Sequence, residues 1–297
     1  MSTARLMQMA AAGVDAGSDS IFGPSYGNWD GSLLRFSSTS DANGGSNSSL
    51  NGLAFFYDPV TSRVYDGYAG GSYMSYHTGG YYLWNSGNSI MPNRPSSSNA
   101  DSGNATSGAT IVYQDDKSYV LFGSIASRTV YVWLNGTTPV YKGYFNLQTN
   151  HNARSLAFGE WDGGTKLFSN SISQTTYYYT IPDLENLNNS TISVDGNFTT
   201  GVSAFYSMSY AGKDSNDDVH FYFRNSGKMY LYKIADGASS ATAATEVENW
   251  TRSGGGSYGH FIDYDNKKLY TGGFGAQTLY RYPLVEKGKT KIYVFFF

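Results

Sequence analysis

Acidic residues recur at one place in a repeated pattern, directly after a short run of aromatic and β-branched residues. They are Asp58, Asp115, Asp162 and Asp263. In glycosidases, two carboxylates that flank the scissile bond supply the general acid and the base or nucleophile. Most of these aspartates, however, occupy positions where a hairpin turn is expected, and Asp stabilises turns by bonding to its own backbone. The pattern favours turn formation, and we predict no catalytic residue.

The histidines do not form a recognisable metal or acid–base motif. They are His77, His151, His220 and His260, and the chain has no cysteine. No two of them have the four-residue spacing of a helical zinc site, and thiolate ligands and disulfides are excluded. We interpret each as an ordinary strand or loop residue. His260 stands apart because it opens a strand that the repeat pattern places next to a central channel.

A run of oxygen-bearing side chains from Asp214 to Asp218 is similar to the start of a calcium-binding loop. Val219 stands where such a loop needs glycine, and Asn225 stands where it needs a bidentate glutamate. We therefore interpret the run as a polar hairpin turn. The sequence predicts no metal and no cofactor.

Aromatic residues are the remaining chemical signal, with 27 Tyr, 17 Phe and 5 Trp in 297 residues. Most are expected to pack between sheets, because tyrosine buries its ring and keeps its hydroxyl in contact with water. Trp29, Tyr81, Tyr82 and Trp84 lie near predicted loops. They are the candidate ligand-binding residues, since exposed Tyr and Trp stack on sugar rings or anchor protein partners.

A repeated unit organises most of the chain. Its clearest copy, residues 259–284, reads as three strands of period two, with Asp-Asn-Lys and Gly-Gly at the turns. In successive copies the third strand carries Tyr131, Tyr178, Tyr230 and Tyr280, at spacings of 47, 52 and 50 residues. A period near 50 with three or four strands per unit indicates a β-propeller. We predict an all-β fold with five or six blades.

The outer strands and the chain ends are assigned by extension of this pattern. Fourth strands are predicted at residues 142–147, 191–195 and 291–297. Residues 50–297 form the propeller, and residues 1–49 form an anchoring arm or a degenerate sixth blade. The apolar stretch Lys291–Phe297 is predicted to be a paired strand that closes the ring with N-terminal residues, because an exposed strand of this kind aggregates. Residues 41–49 and 86–107 are predicted loops.

The unit at residues 259–284 resembles the blades of NHL-type and gluconolactonase-like propellers, which also run strand, Asp-Asn turn, Lys-Leu-Tyr, glycine-rich turn and Leu-Tyr-Arg-Tyr strand. The enzymes of that class hold a divalent metal with acidic and Asn residues at the channel. No such set is legible in this sequence, so the resemblance implies the fold and not the activity. The first residues, Met1–Val14, resemble the openings of virion structural proteins of tailed phages, particularly marine ones.

These observations together predict a non-enzymatic virion structural protein in a tail fibre, tail tip or capsid surface. Its N-terminal residues would dock to other virion proteins, and its propeller face would bind a host glycan or protein. The alternative is a carbohydrate-binding or carbohydrate-active propeller, located outside the cell. The formal net charge of −3 gives no footprint for nucleic acid, and no apolar stretch is long enough to span a membrane. A homo-oligomer is also compatible with the sequence.

Overall fold

The structure is a computed structural model that describes strands, turns and connecting segments over fourteen stretches of the chain. They are residues 42–46, 54–58, 63–67, 74–77, 88–90, 106–124, 127–148, 152–170, 173–202, 207–225, 227–251, 259–264, 266–272 and 278–283.

Every regular element in these stretches is a β-strand. In chain order they are β1 (Ala42–Ser46), β2 (Ala54–Asp58), β3 (Arg63–Gly67), β4 (Met74–His77), β5 (Asn88–Ile90), β6 (Thr106–Gln114), β7 (Lys117–Ser124), β8 (Thr129–Leu134), β9 (Val140–Leu147), β10 (Ser155–Trp161), β11 (Gly164–Asn170), β12 (Thr175–Thr180), β13 (Thr191–Ile192), β14 (Gly196–Thr199), β15 (Ser207–Lys213), β16 (Asp218–Arg224), β17 (Lys228–Ala235), β18 (Thr242–Ala243), β19 (Thr245–Thr251), β20 (His260–Asp263), β21 (Lys268–Gly272) and β22 (Thr278–Pro283).

The strands form five sheets, which we number in chain order. Four are built from successive strands joined antiparallel: sheet 1 from β2 to β5, sheet 2 from β6 to β9, sheet 3 from β10, β11, β12 and β14, and sheet 4 from β15, β16, β17 and β19. Sheet 5 combines β20, β21 and β22 with β1, which pairs antiparallel with β22. The last sheet is therefore completed by residues from near the beginning of the chain.

Tight turns link the first two strands of sheets 2 and 3, as Asp115 and Asp162 predicted. Asp115 and Asp116 have φ values of 51° and 62°, and Asp162 and Gly163 have φ values of 51° and 71°. Positive φ at both central residues characterises the two-residue hairpin turn whose twist matches the flanking strands. Asp, Asn and Gly adopt this backbone at the least cost, which explains why these residue types recur there.

The innermost strands of neighbouring sheets contact one another in a cyclic order: β2 meets β6, β6 meets β10, β10 meets β15, β15 meets β20, and β20 returns to β2. Between the sheets lie three apolar clusters, each drawn from two successive sheets. Leu167 belongs to the cluster shared with sheet 2, whereas its neighbour Phe168 belongs to the cluster shared with sheet 4. The fold is therefore all-β and propeller-like.

Two sheets receive an additional short strand from the sheet that follows. The segment after β12 contributes β13, which pairs parallel with β9 of sheet 2. The segment after β17 contributes β18, which pairs parallel with β14 of sheet 3. We call these two short strands clasps, because each fastens one sheet to the outer edge of the preceding one.

Three predictions about secondary structure are wrong. Residues 42–46, predicted as loop, form β1, because pairing with β22 satisfies a backbone that Gly and Asn leave free to adopt an extended form. Residues 88–90, also predicted as loop, form β5. The outer strand of sheet 3 is Gly196–Thr199, whereas Thr191–Ile192, predicted for that place, is a clasp on sheet 2. The prediction for Lys291–Phe297 lies outside the described residues.

No helix long and apolar enough to cross a bilayer occurs in the described stretches of the chain.

A substitution at Gly159 tests the close approach of sheets 3 and 4. A Cβ at this position would lie 2.2 Å from the Tyr210 ring of the next sheet, whereas a Cβ at Gly164 would meet nothing within 4 Å. We expect Gly159→Ala to lower the free energy of unfolding by about 1–3 kcal/mol, the usual cost of overpacking a core. Urea denaturation followed by tryptophan fluorescence measures the change. Gly164→Ala is the matched control, and an equal effect of the two substitutions would contradict this packing.

Candidate functional site

The innermost strands of sheets 2 to 5 surround a cavity at the centre of the ring, with about 490 Å³ of space that includes its open end. Most of the lining is apolar, and its polar side-chain groups include Thr110, Ser209 and His260. These three residues come from three different strands, β6, β15 and β20. The cavity therefore brings together side chains that are distant in sequence, as a central channel of a propeller does.

His260 is held between two serine hydroxyls of the neighbouring sheet. Its Nδ1 lies 2.5 Å from Ser207 Oγ, and its Nε2 lies 2.7 Å from Ser209 Oγ. The alternation of β15 places Ser207, Ser209 and Ala211 on one face, and Ala211 packs in the same cluster as Ile262 of β20. A neutral imidazole donates through one ring nitrogen and accepts at the other, so this geometry satisfies both.

A serine bonded to histidine is also the first requirement of an activated nucleophile. In a hydrolase, a carboxylate orients the imidazole and stabilises the imidazolium that forms. Here the group on the second nitrogen is the hydroxyl of Ser207, which carries no charge. Ser207 and His260 are also almost fully buried. The arrangement forms a hydrogen-bonded link between sheets 4 and 5 and lacks the carboxylate that acyl transfer uses.

The four aspartates at the ends of the innermost strands do not share one site. Asp263 is buried and accepts hydrogen bonds from the backbone and side-chain amides of Asn266, at 3.0 and 2.7 Å. Asp58 is buried and accepts from Asn135 Nδ2 at 3.0 Å. Asp115 and Asp162 are exposed and occupy hairpin turns. Across the described residues, His, Asp and Glu form no group of three arranged to hold a metal ion.

Hydrogen bonds from the ends of three innermost strands, β2, β6 and β10, reach the next sheet, and we call these contacts locks. Asp58 of sheet 1 contacts Asn135, which follows β8 of sheet 2. Gln114 of sheet 2 accepts from Leu184 N at 2.8 Å and donates to Pro182 O at 3.1 Å, both after β12 of sheet 3. Each lock joins the same two places in successive sheets.

The third lock uses the backbone of the hairpin turn. Asp162 N of sheet 3 donates to Asp236 Oδ1 at 2.8 Å, and Asp236 follows β17 of sheet 4. The other carboxylate oxygen of Asp236 lies 2.6 Å from Lys213 Nζ. The sequence signal for these locks was partial, since Asp58 and Asp162 were recognised as turn residues, whereas Gln114 was not singled out. Their partners were not predictable, because they depend on how neighbouring sheets are stacked.

Glu185 forms a charged contact with three side chains, on the rim between sheets 2 and 3. Its carboxylate accepts from Lys142 Nζ at 2.8 Å, Tyr119 Oη at 2.8 Å and Lys117 Nζ at 3.0 Å. The hydrogen bonds from Lys142, Lys117 and Tyr119 lower the pKa of Glu185 to about 2. Burial, followed by the hydrogen bond to Glu185, raises the pKa of Tyr119. These hydrogen bonds connect Glu185, which lies in the segment after β12 of sheet 3, to β7 and β9 of sheet 2.

The run from Asp214 to Asp218 is a hairpin turn, as interpreted from the sequence. Asp214 Oδ1 accepts from the backbone amides of Asn216 and Asp218 at 2.8 and 3.1 Å. The neighbouring His220 has an Nδ1 3.0 Å from the carbonyl of Asp218, and burial lowers its pKa. The carboxylate of Asp214 is therefore engaged by the turn itself.

The predicted ligand-binding residues Trp29, Tyr81, Tyr82 and Trp84 lie outside the described residues, as does His151. His77 lies in β4. The described tryptophans are core residues: Trp133 and Trp161 are buried, and Trp161 stacks on Phe198 with ring centroids 5.9 Å apart. The structure thus brings together His260, Ser207 and Ser209, of which only His260 was singled out in the sequence.

No protein-family model and no curated protein matches this sequence. Among solved structures, the chain is similar to BBS1N in complex with ARL6DN, with a TM-score of 0.38 and 9% identity over 78% of this chain and 64% of that chain. It is also similar to the β-propeller domain of Myceliophteria thermophila Cps50 (Swd1), with a TM-score of 0.36 and 10% identity over 75% of this chain and 68% of that chain. These likenesses carry no argument about function, and the description of the fold rests on the sheets themselves.

The lowered pKa of Glu185 predicts that the folded chain loses stability in acid. Because its folded pKa of about 2 is below the ordinary value of 4.5, its contribution is complete above pH 4.5 and is lost as the pH falls toward 2. We expect Glu185→Gln to be less stable than the native chain at pH 7, with a smaller further loss across that acid window. Urea midpoints measured between pH 7 and 2 test this expectation.

Glu160→Gln is the matched control for this pH series. The Glu160 side chain is 50% exposed, and its oxygen lies 4.0 Å from Lys213 Nζ, at the limit of an ion pair. The control should follow the native pH profile. If the urea midpoints of Glu185→Gln matched those of the native chain from pH 7 to 2, the three hydrogen bonds would not stabilise the fold.

Proposed function

We propose that this chain is a five-bladed β-propeller closed by its N-terminal residues. Support comes from the cyclic order of contacts among β2, β6, β10, β15 and β20, and from the pairing of β1 with β22. In such a ring the final blade takes one strand from the other end of the chain, which removes a free sheet edge. In this proposal the 1–49 segment supplies an outer strand and no sixth blade.

We infer that the propeller is a non-enzymatic scaffold. This inference rests on the hydrogen bonds that the polar groups at the channel and at the ends of the innermost strands make to other residues of the fold. Ser207 and Ser209 bond to His260, Asp263 bonds to Asn266, and Gln114 spans two sheets. Groups that satisfy one another inside a fold contribute rigidity, whereas a catalytic group needs a partner that exchanges with substrate.

We propose that the scaffold is a virion structural protein in a tail fibre, tail tip or capsid surface. Its support in the sequence is the resemblance of Met1–Val14 to openings of tailed-phage virion proteins. Its support in the fold is the position of β1, which is the outermost strand of sheet 5. Residues 1–41 precede that strand, so they join the propeller at its rim. In this proposal that segment docks to other virion proteins.

One face of the propeller then binds the host surface, and a glycan is the ligand class that the loop aromatics fit. Trp29, Tyr81, Tyr82 and Trp84 are the proposed contact residues, because indole and phenol rings stack on the apolar face of a sugar. A carbohydrate-binding propeller outside the virion uses the same residues. A glycosidase would additionally need two carboxylates facing one sugar.

Particle composition tests the virion role. We expect mass spectrometry of gradient-purified particles, from the phage whose genome carries this coding sequence, to detect the chain in a constant ratio to the major capsid protein. A tagged chain lacking residues 1–41 should be absent from particles, whereas the tagged full chain should be incorporated. Particles that lack the full chain would overturn the virion proposal and leave the fold unaffected.

Glycan binding and turnover separate the remaining alternatives. We expect the purified chain to bind a subset of glycans on an array, to lose that binding on Trp84→Ala, and to release no sugar from the bound glycans. Trp133→Phe, a change in the core, is the control for binding. Hydrolysis that disappears on Asp162→Asn or Asp263→Asn would identify a glycosidase and contradict the scaffold proposal.

A further inference from the structure

The outer strand of sheet 4 differs from those of sheets 2 and 3. β19 pairs with β17 on one side, and no described strand pairs with its other side. Its residue Val247 is 42% exposed, although most exposed side chains on this strand are polar. An unpaired strand edge presents free backbone donors and acceptors, which natural proteins usually cover.

Sheets 2 and 3 have this edge covered by the clasps. In sheet 2, Asn146 N donates to Ser190 O and Gln148 N donates to Ile192 O, each at 2.9 Å. In sheet 3 the clasp segment is the donor, since Ala244 N donates to Thr199 O at 2.7 Å. In both cases the covering residues come from the sheet that follows, after its third strand.

The register of the two clasps points to one position in sheet 4. The clasps touch Asn146 of β9 and Thr199 of β14. Asn146 is opposite Thr129, the first residue of β8, and Thr199 is opposite Thr175, the first residue of β12. The equivalent residue in sheet 4 is Thr251, which is opposite Lys228, the first residue of β17. The position that no described strand covers is therefore the end of β19 around Trp250 and Thr251.

The chain that follows sheet 5 has the length and composition of a third clasp. β12 ends at Thr180 and its clasp begins at Thr191, while β17 ends at Ala235 and its clasp begins at Thr242. These intervals are 11 and 7 residues, so a clasp following β22, which ends at Pro283, would begin between residues 290 and 294. The sequence there is Lys-Ile-Tyr-Val at residues 291–294, a run of strong strand formers.

Two further observations favour this occupant. The outer position of sheet 5 is already filled by β1, so residues 284–297 are not needed there. β19 carries Glu246 and Glu248, whereas the C-terminal segment carries Lys287, Lys289 and Lys291. Opposite charges on neighbouring strands are stabilising, and they disfavour pairing of this edge with a second copy of itself.

We propose that residues 290–294 pair parallel with the end of β19 and form a third clasp, which fastens sheet 5 to sheet 4. Trp250 supplies a reason for pairing at this place. It is 4% exposed, and its indole Nε1 has no hydrogen-bond acceptor among the described residues. This buried donor carries an uncompensated desolvation cost, which an acceptor from the added segment would remove. The proposal does not depend on the virion role.

Disulfide cross-linking tests the pairing directly, since the chain contains no cysteine of its own. Neighbouring strands are about 4.8 Å apart, within the separation that a disulfide tolerates. Thr251→Cys is combined in turn with Lys291→Cys, Ile292→Cys or Tyr293→Cys, and the folded protein is oxidised. We expect at least one pair to form an intramolecular cross-link in most molecules, identified by mass spectrometry of non-reduced peptides.

Val140→Cys replaces Thr251→Cys in the matched control, because Val140 is 51% exposed but lies on β9 of sheet 2. The control pairs should remain reduced. Absence of a cross-link in all three folded Thr251→Cys pairs would overturn the proposal. Cross-links only between molecules would also overturn it, since they would make a second copy the occupant of this edge.

Hydrogen exchange on a shortened chain gives an independent measurement. Removal of residues 287–297 is expected to speed amide exchange in β19 and to leave β9 and β14 at the native rate, because those strands keep their clasps. If the shortened chain does not fold, the cross-linking result on the full chain decides. Native exchange in β19 of a folded shortened chain would contradict the proposal.

Discussion

Sheets that are apolar on both faces impose the architecture of this protein. Consecutive residues of a central strand point to opposite sides, and in β11 both Leu167 and Phe168 are fully buried. Each such side chain gains about 1.5–3 kcal/mol from burial, so every sheet needs a neighbour on each side. A linear stack would leave two terminal faces exposed to water. A ring has no terminal sheet, which explains the cyclic order of contacts among the innermost strands.

The polar residues of the fold make this stacking specific. Apolar faces alone tolerate small slips between sheets, whereas a hydrogen bond forms only when its donor and acceptor are correctly placed. The locks formed by Asp58, Gln114 and Asp162 connect equivalent places in successive sheets. The clasps do the same at the outer edges. Residues that could have served catalysis, had they converged, instead fix the position of one sheet relative to the next.

The centre of the ring illustrates the same principle. His260 and its two serines form a hydrogen-bonded group between sheets 4 and 5, at the wall of the cavity. A histidine on an innermost strand invites a catalytic interpretation, but a hydroxyl on each ring nitrogen leaves the imidazole engaged with its own fold. These hydrogen bonds connect sheet 4 to sheet 5 beside the cavity, in addition to the apolar cluster that the two sheets share.

Local sequence patterns were sufficient to predict the repeat, the strands and the hairpin turns. Alternating aromatic residues predict strands, and Asp or Gly predicts the turns, where the backbone does adopt positive φ. The period near 50 predicts that the strands form repeated sheets. The outer strand of sheet 2 was predicted at residues 142–147, whereas the outer strands of sheets 3 and 5 depend on the tertiary structure. Ala42–Ser46 became a strand because β22 offered an edge, and Thr191–Ile192 became a clasp because sheet 2 lies beside it. Pairing between residues distant in sequence depends on how the sheets are stacked, and no local pattern of side chains records that arrangement.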